Sequence, residues 1–424
     1  MKVRELGFNI LSDIYKKGSY ANIALSQALR EESIDEKDKA FLTRLVYGTI
    51  QKNLILDYEI KKALDGKKIA PDMRTILKMS LYQLRYMDKV PDYATINEGV
   101  NLAKKKLGKE ASSFCNAILR RLQKETFKPL KEEFKDDIAY FSLIYSHPEW
   151  LVRMVAKHYG EEVALDWLKH NSEEAPLTIR VNTLKSSKEE LLKTGRFKEA
   201  KLSPCALYYL EGGSPANTKE FLDGKYVIQD EAGQLVALML DPKENEKVLD
   251  MCAAPGSKTY QIADLMHNKG RIIAIDLYEH RLDLLKKNLP RLGISIVKTK
   301  AYDSRKLLDI YQEGSFNRVL LDAPCSGLGV IRRKPDILIN LKQENLDGII
   351  NLQKELIDCA VKLVKKGGIL VYSTCTIDKK ENEGQIKYLT SSYPEFKLID
   401  SRLVLPNKEE SDGFYMAKLQ RIAE

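Results

Sequence analysis

Lys247-Val248-Leu249-Asp250-Met251-Cys252-Ala253-Ala254-Pro255-Gly256-Ser257-Lys258-Thr259 decides how the chain is read. A short apolar run ends at an acid, which fits a buried strand. A loop of small residues follows, and small residues let a backbone approach a ligand closely. The helix expected after it points its free N–H groups at that loop, a favourable place for polar or anionic ligands. The spacing is neither the GxxxxGK[ST] phosphate loop nor GxGxxG. A strand, a bare loop and a helix therefore bind a ligand by some other fingerprint.

The same unit repeats outward. Apolar strands are expected at 271–276, 294–298, 318–322 and 368–372, with helical periodicity over 281–289 and 352–364, and a further strand at 413–419. Short apolar strands alternating with helices predict a parallel sheet covered on both faces, an α/β Rossmann-like fold over 221–424. In such sheets ligands bind at the carboxyl ends of the strands. Asp276 ends the second strand, 26 residues after Asp250, where an acid can accept from both ribose hydroxyls of a nucleoside. Asp303, beyond the third strand, is placed to bond an adenine amino group. The fourth strand runs into Asp322-Ala323-Pro324-Cys325 and the fifth into Ser373-Thr374-Cys375. Two thiols leaving neighbouring strand ends beside a nucleoside site suggest covalent catalysis. Cys115, Cys205 and Cys359 fit small core residues instead. A redox pair remains an alternative, although the two thiols lie 50 residues apart and the chain has no CxxC spacing.

Upstream, 141–220 reads as a small mixed α/β segment, with a helix near 150–167 and strands at 177–182 and 206–210. Residues 1–140 show helical periodicity throughout and predict an all-α bundle. That bundle holds 27 basic and 20 acidic residues, so +7 of the chain's net +9 lies in its first third. Its densest positive stretch includes Lys104, Lys105, Lys106, Arg120, Arg121 and Lys124, a candidate polyanion surface. A lysine-rich solvated face is the plainer alternative. The 44% hydrophobic and 30% charged composition is globular and excludes a disordered chain. No apolar run approaches a membrane span and the first residues lack a signal-peptide core, so a cytoplasmic protein is expected. Six cysteines without paired spacing suggest neither a disulfide framework nor a metal site.

The segments DMCAAPGSKT, LLDAPCSG and YSTCT resemble motifs of S-adenosylmethionine-dependent RNA (cytosine-5) methyltransferases. RVNTLK at 180–185, YVIQDEAG at 226–233 and Glu381-Asn382-Glu383 are similar to further motifs of that family. DKAFLTRLVYGTI at 38–50 and FCNAILRRL at 114–122 resemble a NusB-like RNA-binding domain. The pairing is similar to the RsmB/Sun/Fmu-type family of bacterial 16S ribosomal RNA methyltransferases. Ser257 departs from the family's usual second glycine.

The resemblance implies methylation of C5 of a cytosine in small-subunit ribosomal RNA, with transfer RNA as the alternative substrate. Cys375 is the implied nucleophile and Cys325 the thiol that assists release, with Asp322 and Lys258 beside them. Cys252, Ala253, Ala254, Pro255, Gly256, Ser257, Lys258, Asp276, Arg281, Asp303 and Asp322 are expected to hold S-adenosylmethionine. No metal, no membrane and a monomer are expected.

Overall fold

The computed structural model describes residues 2–31 and 34–422. The chain divides into two compact units, one of residues 1–173 with 331–343, the other of 174–330 with 344–424. The expected 141–220 segment is thus shared between them. Its helices close the first unit, and its strands open the second.

Among the described residues, seven helices from Lys2–Lys17 to Lys109–Lys124 enclose one apolar core. Leu11, Leu42, Leu45, Ile60, Ile76, Leu77 and Leu119 are fully buried there. The helix expected near 150–167 is two, Glu149–Tyr159 and Glu161–Asn171, interrupted at Gly160. The segment 331–343 completes this unit. Ile339 packs against the core, Arg332 Nε donates to the Glu173 carbonyl at 3.2 Å, and Asn340 Nδ2 donates to the Gly18 carbonyl at 3.3 Å.

The second unit carries two sheets. The smaller contains β1 (Thr178–Val181), β2 (Phe197–Glu199), β3 (Ala206–Tyr209) and β4 (Tyr226–Ile228), antiparallel in the order β2-β3-β1-β4. The larger contains β5 (Lys247–Asp250), β6 (Arg271–Asp276), β7 (Val297–Ala301), β8 (Phe316–Asp322), β9 (Val364–Thr374), β10 (Phe396–Val404) and β11 (Phe414–Arg421). Its order is β10-β11-β9-β8-β5-β6-β7. The five strands from β9 to β7 are parallel, and β11 runs antiparallel to β9.

The strands β5 and β6 fall where the sequence puts them. The third expected strand starts three residues late, because Ser295 N–H bonds the Asn268 side chain and β6 pairing begins at Val297. The edge strand β10 is not visible in the sequence: residues 397–402 are exposed, so it shows no apolar alternation.

Candidate active site

The loop leaving β5 curls under its own helix, Ser257–Leu265. Thr259 Oγ1 donates to Asp250 Oδ2 at 2.7 Å, tying the helix start to the strand end. Gly256 has φ +110, and a Cβ there would lie 2.6 Å from the Tyr260 ring, so this position suits glycine. Ser257 opens the helix, where a side chain is tolerated. Asp276, buried at the end of β6, accepts from Ala254 N–H at 3.2 Å and from Arg281 Nη1 at 3.1 Å. Arg281 Nη2 reaches back to the Ala254 carbonyl. The second strand end is therefore drawn against the bare loop, as a nucleoside cradle requires. Asp303 caps the turn after β7, and its carboxylate is already gripped by Arg305 Nε and Nη2. That pairing holds its pKa below the ordinary carboxylate range.

Beneath the cradle, Asp250 Oδ1 is buried without a hydrogen-bond partner among the described residues. Burial pushes the Asp250 carboxyl up to about 7, and the Asp322 charge adds to the rise. An orphaned acceptor below a glycine-shaped loop and an acid at the next strand end fit a bound nucleoside cofactor. Burial also raises the Cys252 thiol well above its ordinary range, leaving it an inert wall of the loop.

The ends of β8 and β9 hold the candidate reactive groups. Asp322 Oδ2 receives Lys258 Nζ at 2.6 Å, and Asp322 Oδ1 receives Ser373 Oγ at 2.7 Å. Burial disfavours the Lys258 ammonium, but Asp322 outweighs it, and the net shift is upward. Cys325 Sγ lies 3.3 Å from Cys375 Sγ. Its hydrogen bond to Cys375 comes first, and burial second, in holding the Cys325 thiol well above its ordinary range.

Other groups here were not singled out from the sequence. Phe414 lies under Lys258, with Nζ 4.9 Å from its ring centroid. Gly413 bonds Gly329 backbone to backbone at 2.7 Å. A Cβ on Gly329 would lie 1.9 Å from the Gly413 carbonyl oxygen. That bond brings the loop before β11 against the loop that carries Cys325. Only the DGF spacing could have hinted at it.

The basic candidates lie on helices Asp92–Leu107 and Lys109–Lys124 of the first unit. Lys105 and Lys106 both pair with Glu5. Arg121 donates to the Ala63 carbonyl and pairs with Glu125. Arg120 is exposed and donates to Gln123. Lys104 and Lys124 are exposed without an ion-pair partner among the described residues. The cluster is therefore part scaffold and part open charge. No described helix is long and apolar enough to cross a membrane.

The parallel sheet with β11 set antiparallel at one side, the glycine-shaped loop and the acid at the next strand end place the chain among Rossmann-like folds suited to a nucleoside cofactor. Residues 237–420 match the model of the 16S rRNA methyltransferase RsmB/F family, 1–124 that of the NusB family, and 147–207 that of the RsmF/B-like ferredoxin-like domain. The probable ribosomal RNA small subunit methyltransferase B of Bacillus subtilis (strain 168) is 36% identical, over 99% of this chain and 98% of its own length. The crystal structure of PH0851 superposes with a TM-score of 0.84 at 28% identity, covering 98% of both chains. That of NSun6 from Pyrococcus horikoshii with SFG does so at 0.60 and 27%, over 65% of this chain and 99% of that one. The chain belongs to the RsmB/F family of 16S rRNA methyltransferases, which use S-adenosylmethionine.

Proposed function

We propose that this methyltransferase modifies C5 of a cytosine in 16S ribosomal RNA through a covalent enzyme–RNA intermediate. The observation that carries the proposal is the 3.3 Å contact between Cys325 and Cys375 at adjoining strand ends. Cytosine C5 is a weak nucleophile. Addition of the Cys375 thiolate to C6 makes C5 enamine-like and able to take a methyl group. Bound S-adenosylmethionine supplies that methyl on a sulfonium centre, held by the 252–258 loop, Asp276, Arg281 and Asp303. A base then takes the C5 proton, and the electron pair of that C–H bond re-forms the C5=C6 double bond as the C6–sulfur bond breaks and Cys375 leaves as a thiolate. Cys325, protonated beforehand and 3.3 Å away, gives its proton to the departing Cys375 sulfur and so assists that release.

Lys258 and Asp322 serve the same step. The Lys258 ammonium interacts with the Cys375 sulfur and favours its thiolate. Asp322 fixes that ammonium through a 2.6 Å ion pair and is itself held by Ser373. The target base must be unstacked to place C6 over the sulfur. Lys104, Lys105, Lys106, Arg120, Arg121 and Lys124 supply part of the sequence-independent RNA affinity.

The deciding experiment incubates the protein with unmodified 16S transcript and labelled cofactor, then digests the RNA to nucleosides for mass spectrometry. The label is expected in 5-methylcytidine. Label on another atom or base, or in transfer RNA but not 16S RNA, would overturn the assignment.

A further inference from the structure

Glu381 and Asn382 touch neither the cofactor cradle nor the reactive sulfurs, yet both are fully buried. Their contacts share a pattern. The Glu381 carboxylate accepts from Ser326 N–H at 2.9 Å and from the Ser326 hydroxyl. Ser326 is the residue after Cys325. Asn382 Nδ2 donates to the Thr376 carbonyl at 3.0 Å, and its Oδ1 accepts from the Thr374 hydroxyl at 2.5 Å. Thr374 and Thr376 flank Cys375. The two residues that follow the cysteines meet each other as well, Ser326 Oγ to Thr376 Oγ1 at 2.7 Å. Gln353 Nε2 closes the arrangement by donating to Glu381 Oε2 and the Pro324 carbonyl, each at 2.9 Å.

A carboxylate buried in a protein interior is costly unless it is fully bonded. Burial raises the Glu381 pKa, and the Ser326 and Gln353 hydrogen bonds oppose that rise. We propose that Glu381 is a positioning residue that sets the contact between the two reactive sulfurs. Its carboxylate holds the Cys325 loop, while Asn382, the next residue in the chain, holds the Cys375 loop. One rigid dipeptide thus fixes both loops to a common frame, which neither strand end provides alone. The proposal rests on the two-thiol reaction above.

The test reads sulfur proximity without RNA. Full-length protein is treated with diamide, which takes up two thiol hydrogens as a Cys325–Cys375 disulfide forms. The rate is followed by peptide mapping at temperatures where thermal unfolding shows each variant folded. Wild type is expected to close rapidly. Glu381→Ala is expected to close at least tenfold more slowly while both thiols stay reactive toward a monofunctional reagent. Glu381→Gln keeps an acceptor for Ser326 and is expected to fall between them. It should also shift the pH profile of closure downward, because the Glu381 charge helps keep Cys325 protonated. A structural role alone predicts a lower unfolding temperature with unchanged closure rate and pH profile, and that result overturns the proposal. Methylation is measured in parallel. Slow closure with a lower kcat and unchanged cofactor KM supports both positioning and the two-thiol reading. Slow closure with full methylation leaves Glu381 setting the contact but removes the two-thiol reading.

Discussion

Two sulfurs in contact cannot both carry charge cheaply, so at least one of them keeps its proton. Cys325 is the one that keeps it. The two thiols should therefore fail differently. Cys375→Ala is expected to abolish methylation and form no RNA adduct. Cys325→Ala is expected to attack and transfer the methyl, then stall as a protein–RNA complex that survives denaturing electrophoresis. Radiolabelled RNA on one gel separates the two. An adduct in Cys375→Ala would reverse the roles. Asp250 gives a second prediction. Its pKa is about 7 in the fold, above its ordinary value of 3.8. Between these values the unfolded chain ionises first, so the folded state binds more protons and loses stability as pH rises from 4 to 7. At about 1.4 kcal/mol per pH unit, the whole effect is at most about 4 kcal/mol. Asp250→Asn lacks this loss, so its urea midpoint should gain on wild type from pH 4 to 7 and then run parallel. A difference independent of pH would mean that Asp250 is ionised throughout.

Among the elements, the helix Ser257–Leu265 is held from both sides. Its first turn bonds β5, and near its end Asp264 receives Arg180 of β1 at 2.8 Å. Both side chains of that pair are buried. Gln229 accepts from Arg180 Nε, and Thr183 donates to both Asp264 oxygens. Removing one partner from a buried pair leaves a charge uncompensated, at a cost of about 3–5 kcal/mol. Arg180→Met should lose that much in urea unfolding, and Arg180→Met with Asp264→Leu clearly less than the sum of the two single changes. Additive losses would show that the two charges do not interact. The contrast between strands explains what the sequence discloses. Apolar side chains in β5 and β6 must be buried, and that constraint is visible residue by residue. The cysteine loops were legible because thiols at strand ends are chemically unusual. Ser326, Thr376 and Gln353 were not, since a buried polar residue and a solvated one look the same until their partners are known. The strand β10 hid for the opposite reason: its register comes from pairing with β11, not from its own side chains.

Over the whole molecule, net positive charge is concentrated in the first third of the chain, but several of its cations are spent on internal pairing. Lys105 and Lys106 neutralise Glu5, which lowers their value to an approaching polyanion. The open charges Lys104, Arg120 and Lys124 should matter most. Replacing these three by Gln is expected to reduce the slope of log affinity for RNA against log salt by about 2–3, at roughly 0.7–0.9 per phosphate contact. Cofactor affinity should be unchanged in the same protein. Filter binding at several salt concentrations measures the slope, and an unaltered slope would move RNA binding to another face.

The segment 331–343 has a consequence for how the protein is made. The helical unit is not finished when residue 173 leaves the ribosome, because Ile339 and Arg332 belong to it and are encoded later. The intervening 157 residues, 174–330, must be synthesised first. At ~5–20 residues per second that is a wait of roughly 8–30 s. During it the early helices carry an uncovered apolar seat. Vectorial folding from the N-terminus is therefore interrupted: the first unit to begin is closed only after its successor has produced Cys325, and a nascent chain stalled before residue 331 is expected to need a chaperone.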